Sequence, residues 1–183
     1  MTLHLPRLVN KTILLFACGW FAASCSQQAP APTPAPAAPP AVAPPALPVL
    51  GALPDLNLSS STGTKITTAA LLGKPVLFWF HHPVTSASTE QGKALANIDP
   101  SGLVRKIVLV PMPEAIAPFP AMTPPFPAEI TSCPPATREA LGNLRAIPTV
   151  LLVDASGQIR LRQEGVLDAA AITAAIQTLT ATK

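Results

Sequence analysis

An unbroken apolar run, "PVLFWF" at 75–80, and a largely apolar one, "LVRKIVLVPM" at 103–112, stand out along the chain. Rich in strand-formers and lacking polar alternation, they predict strands buried on both faces of a sheet. Between them Ser88 and Gln91 have capping-box spacing, and a helix running to about Ile98 would place Ala94, Leu95 and Ile98 on its inner face. A helix between two strands makes those strands parallel. Upstream, "DLNLSSSTGTKITTAALLGK" predicts two short extended segments about a turn at Gly63, a brief helical stretch over 68–72, and a stop at Gly73. Downstream, "PATREALGNLRA" predicts a helix, and "IPTVLLVDASGQIRLRQEG" a strand, a turn over 154–157 and a polar-alternating strand suited to a sheet edge. Asp168 caps a last, Ala-rich helix. The order β-α-β-α-β-β-α implies an α/β fold, a three-layer α/β/α sandwich with a mixed central sheet.

The first quarter of the chain has a different composition. Residues 1–25 carry Arg7 and Lys11, an apolar run over 12–23, then small residues up to Cys25, which is the layout of an export signal. The ending "AASC" resembles a bacterial lipoprotein box, with Ala22 where that box usually has Leu. The resemblance implies acylation of Cys25 and a membrane anchor, and ordinary cleavage near Ala23 is the alternative. Residues 26–48 alternate Ala and Pro without a charge. Proline removes backbone donors and fixes φ, so this segment predicts an extended spacer reaching at most about 70 Å. Residues 49–183 form the remaining domain.

Charge and cysteine content narrow the function. Arg7 and Lys11 are two of the 12 basic residues, so ten basic residues face nine acidic ones after the signal. That near-balance, with no basic run and no Gly-rich phosphate loop, argues against a nucleic-acid partner and nucleotide binding. No cofactor is expected. Cysteines occur at 18, 25 and 133.

From Leu53 onward the chain resembles the TlpA-type and peroxiredoxin-type membrane-anchored branch of the thioredoxin superfamily. One block of likeness is Leu53, Pro54, Asp55, Leu58, Gly63, Leu72, Gly73, Lys74, Pro75, Phe78 and Trp79. The other is Pro148, Thr149, Asp154, Gly157, Ile159 and Gly165. The resemblance implies a thioredoxin-like fold and a cis bond between Ile147 and Pro148, presenting a backbone edge beside a redox turn. Without it, a trans proline opening a strand is the simpler reading. Aligning the family's Cys-x-x-Cys after Phe-Trp puts its cysteines at Pro83 and Ser86, within the tetrad Pro83, Val84, Thr85 and Ser86. Dithiol exchange needs a thiolate and a second sulfur to resolve the mixed disulfide, and this tetrad has neither. The scaffold is that of a thiol–disulfide oxidoreductase without its catalytic cysteines, and dithiol catalysis is not expected.

Three functional readings follow. The first is an exported, lipid-anchored, redox-inactive domain of the bacterial envelope, on the periplasmic side. It binds an envelope polypeptide or protein partner through Ile147, Pro148, Thr149, His82 and the 83–86 turn. The second is a one-cysteine redox protein acting through Cys133, set against a buried, inert thiol. The third, from a resemblance to Sco-type copper chaperones, is copper handling by His81, Met112, Met122 and Cys133, a soft-ligand set. The insert over 111–135, with nine prolines, is expected to cap the degenerate turn, because parallel strands end on one face.

Overall fold

A computed structural model describes residues 45–82, 85–99, 101–112 and 123–181. The signal with Cys25, most of the Ala/Pro segment, Pro83, Val84 and Met122 lie outside the described residues.

In chain order the elements are β1 (Gly51–Ala52), β2 (Asn57–Ser59), β3 (Lys65–Thr67), a 3-10 turn (Thr68–Leu71), β4 (Val76–Phe80), α1 (Ser86–Leu95) and β5 (Arg105–Val110). There follow β6 (Glu129–Ser132), α2 (Pro135–Ala140), β7 (Thr149–Val153), β8 (Gln158–Glu164) and α3 (Ala169–Ala181). Six strands make one mixed sheet in the order β1-β8-β7-β4-β5-β6, and β2 pairs with β3 in a separate hairpin. β4, β5 and β6 are parallel, whereas β7 runs antiparallel to β4 with Phe80 opposite Thr149. The three-layer α/β expectation holds.

Alternation along β4 divides the core. Val76, Phe78 and Phe80 point to the layer of the β2–β3 hairpin and α2, where they meet Leu58, Ile66, Leu141 and Cys133. Leu77 and Trp79 point to the other layer, where Leu95 of α1 and Ile172 and Ile176 of α3 pack. Full burial of such side chains contributes about 2 kcal/mol each, which is why the central run tolerates no polar residue.

Several local expectations need correction. The helix over 86–95 is capped by Thr85, not Ser88, and it stops before Ile98. Ser88 is fully buried within it and shares the inward face with Gly92 and Leu95, so Ala94 is exposed. Thr85 makes no side-chain cap bond because its hydroxyl donates back to the His82 carbonyl at 3.1 Å. α2 is only six residues long, since Gly142 (φ 83°) and Asn143 (φ 61°) turn the chain left-handed directly after it. The Pro-rich insert contains a strand, β6, that extends the sheet beside β5. β8 is not the outermost strand, because the two-residue β1 pairs with its Gln158 and Ile159.

At the pole where β4 begins, Asp154 fixes the β7–β8 turn. Its carboxylate accepts from the N–H groups of Ser156 and Gln158 and from Arg160 Nε at 2.6 Å. Arg160 also donates from Nη1 to the Leu47 carbonyl at 3.0 Å, anchoring the incoming chain there. Leu47, assigned to the spacer by composition, packs against the core.

Candidate functional site

The carboxyl ends of β4, β5 and β6 and the start of β7 converge on one pole, the position at which α/β folds commonly gather their sites. His81 continues β4, its N–H donating to the Leu109 carbonyl at 2.9 Å. Its side chain follows Trp79 to the α1 and α3 layer, and the two rings lie 4.2 Å apart at 35°. Phe126, from the insert, packs on Trp79 at 5.5 Å. Burial leaves His81 only 6% exposed, and that burial, reinforced by neighbouring His82, pushes its pKa down to about 4. His81 is therefore neutral at physiological pH. Its Nδ1 and the Trp79 Nε1 are both buried without a hydrogen-bond partner among the described residues.

Above this aromatic group runs α1. Gly92 lets the helix settle there, because a Cβ at that position would lie 2.6 Å from Trp79 Cη2 and 3.0 Å from Pro125 Cγ. The described part of the insert contributes Phe126 to the core against Trp79 and adds β6 to the sheet. Of the insert over 111–135 expected to cap the turn, residues 113–122 lie outside the described residues.

Across the pole, the Ile147–Pro148 bond is cis. The Pro148 carbonyl accepts from Gly165 N–H at 2.8 Å, and Thr149 Oγ1 donates to the Ala146 carbonyl at 2.7 Å. Ile147 is half-buried, and its own N–H and carbonyl take no partner among the described residues. Val166, just past Gly165, is 88% exposed. Sequence reasoning missed Val166, although an apolar residue following a turn glycine is a signal for it. It also missed Phe126, hidden in proline-rich sequence.

Of the other predicted site residues, His82 and Thr85 are half-buried and Ser86 is exposed at the first turn of α1, while Pro83 and Val84 lie outside the described residues. Thr149 is fully buried in β7. Cys133 is fully buried, and its N–H donates to the Val110 carbonyl at 2.7 Å. Burial pushes its thiol up to about 12, with Arg138 opposing only in part. The soft-ligand set is not brought together. Met112 packs against the core cluster that holds Trp79 on one side of the sheet and Cys133 belongs to the core on the other, with Met122 outside the described residues. Among the described residues no three His, Cys, Asp or Glu side chains cluster as metal ligands would.

No family model matches the sequence, and no curated protein matches it. Solved structures do match. BsSco, a member of the Sco family of cytochrome c oxidase assembly proteins, aligns with a TM-score of 0.59 at 15% identity, covering 75% of this chain and 98% of that one. A thiol:disulfide interchange protein DsbE from Chlorobium tepidum aligns at 0.55 and 17%, covering 74% and 98%. The fold is thioredoxin-like. The exposed lipoprotein thioredoxin Etrx1 of Streptococcus pneumoniae also aligns, at 0.50 and 19%, covering 69% and 98%. Identities at this level speak for the architecture, so function rests on this chain's own residues.

Proposed function

We propose that this chain is an exported, membrane-tethered thioredoxin-fold protein of the bacterial envelope that binds an extended segment of a partner polypeptide without dithiol chemistry. The observation that carries this reading is Ile147, whose backbone N–H and carbonyl take no partner among the described residues, at a pole where the turn between β4 and α1 has no cysteine. Free main-chain donors and acceptors on a rigid sheet bind an extended peptide by strand-like hydrogen bonds, which needs no sulfur. Half-buried Ile147 and exposed Val166 add apolar contact. The one thiol among the described residues is buried and protonated at neutral pH, which supports a binding role over a thiol one. Export and tethering are supported by the charge, apolar run and Cys25 layout of residues 1–25, and by the likeness to a solved lipoprotein of this fold.

The test is binding of fluorescent extended peptides to the wild type and to Ile147→Pro, which removes the N–H donor. Binding should weaken about tenfold, the worth of one well-made hydrogen bond, while circular dichroism stays unchanged. Equal affinity in a folded variant would overturn the site. Catalysed reduction of insulin by the wild type would overturn the absence of dithiol chemistry.

A further inference from the structure

We propose that the pole opposite the candidate site docks on the interfacial layer of the lipid bilayer. This inference rests on the membrane-tethered reading above. Strand register puts Val76, Arg105, Val153 and Ile159 at one end of the sheet, away from Phe80, Thr149 and Glu164. At that end the surface is unusually apolar. Leu72 and Leu103 are each 51% exposed, and Val49 and Leu50 stand out beside β1, where Leu50 N–H donates to the Ile159 carbonyl at 2.8 Å. Four of the five large apolar side chains that are exposed among the described residues are therefore at or beside this pole, and Val166 alone is at the other.

The leucines flank a cleft of about 310 Å³ lined by Gly73, Lys74, Pro75, Gly102, Leu103 and Leu179. Such a concave, leucine-rimmed surface with a single lysine at its mouth suits an interface between acyl chains and headgroups. Apolar side chains enter there, and a lysine reaches back to phosphate. The carboxylates nearby do not oppose contact strongly. Asp154 is held by Arg160, Asp99 by Lys106 and Glu129 by Arg105, leaving Asp55 as the exposed acid there among the described residues. Fixed charges at the pole nearly cancel, so the attraction is apolar and does not demand anionic lipid.

The path of the chain argues for lipid over a protein partner. Leu47 is clamped by Arg160 beside the Asp154 turn at this same pole, and only 21 residues separate it from Cys25. A tether of that length keeps the pole at high effective concentration near any membrane holding Cys25, so weak insertion of two leucines suffices to orient the domain.

The experiment uses the full chain bound to phosphatidylcholine vesicles, with Leu103→Trp and Val166→Trp read as difference emission against the wild type. Lipids brominated along the acyl chain should quench the tryptophan at 103 and leave the one at 166 unchanged. If the chain binds vesicles and neither is quenched, the docking surface is refuted while the tether stands. A chain that does not bind vesicles at all refutes both. A concentration-dependent shift of the 103 emission without vesicles would assign the surface to a second copy and refute lipid docking.

Discussion

His81 offers the most quantitative test of the site. Its imidazole is stacked on Trp79 with Nδ1 unpartnered, and its pKa lies near 4 where an unfolded chain has 6.5. The unfolded state thus takes up a proton near pH 6.5 that the folded state refuses until about pH 4. The stabilisation is complete above pH 6.5 and is lost progressively as pH falls towards 4. At about 1.4 kcal/mol per pKa unit the full loss is roughly 3 kcal/mol, a large share of the 5–15 kcal/mol typical of a domain. Asp154 does not blur this window. Burial raises its pKa, but hydrogen bonds from Gln158, Ser156 and Arg160 outweigh burial and hold it below the ordinary 3.8, so it acts only at lower pH. Urea unfolding followed by circular dichroism at pH 7 and pH 4.5 should show the wild type losing roughly 2 kcal/mol or more that His81→Phe retains. Phenylalanine keeps a ring on Trp79 and removes the orphaned nitrogen, so the variant should be no less stable at pH 7. Equal pH dependence in the two proteins would refute a buried neutral His81.

Two further outcomes are expected. Cys133 should resist iodoacetamide at pH 8 in the folded protein and react only in denaturant, as read by mass mapping of its peptide. Labelling of the native chain at the rate of a free thiol would contradict the burial and the raised pKa. Gly92→Ala should destabilise by about 1–2 kcal/mol, because overpacking against Trp79 exceeds the gain in helix propensity. Unchanged midpoint in thermal unfolding would show that α1 does not press on Trp79 as described.

The architecture was legible where burial and turn chemistry leave one choice. The apolar runs around Phe78 and Val108 permit only central strands. Gly73 adopts a φ of 91° at the predicted stop, and Asp168 accepts from the N–H groups of Ala170 and Ala171, as its place before the last helix implies. Errors arose where a local pattern had two uses. Ser88 and Gln91 have cap spacing, but Ser88 is spent inside α1 and Gln91 Oε1 accepts from Leu167 N–H across the fold. The strand over 129–132 was hidden by surrounding prolines, and only the β-branched Ile130 and Thr131 hinted at it. Of the site, the cis Ile147–Pro148 edge was legible through the block around it. The separation of Met112 from Cys133 was not, since it depends on which face of the sheet each segment joins after Val110.

The two-residue β1 leaves most of the outer rim of β8 without a strand partner among the described residues. A bare rim is a template on which further sheets can zip together into fibrils. Here β8 carries Arg160, Arg162 and Glu164 at alternate positions, so each would-be neighbour must bury charge before it can pair. Crowded among its own copies, the domain is expected to resist edge-to-edge polymerisation, and neutralising these three side chains should weaken that resistance.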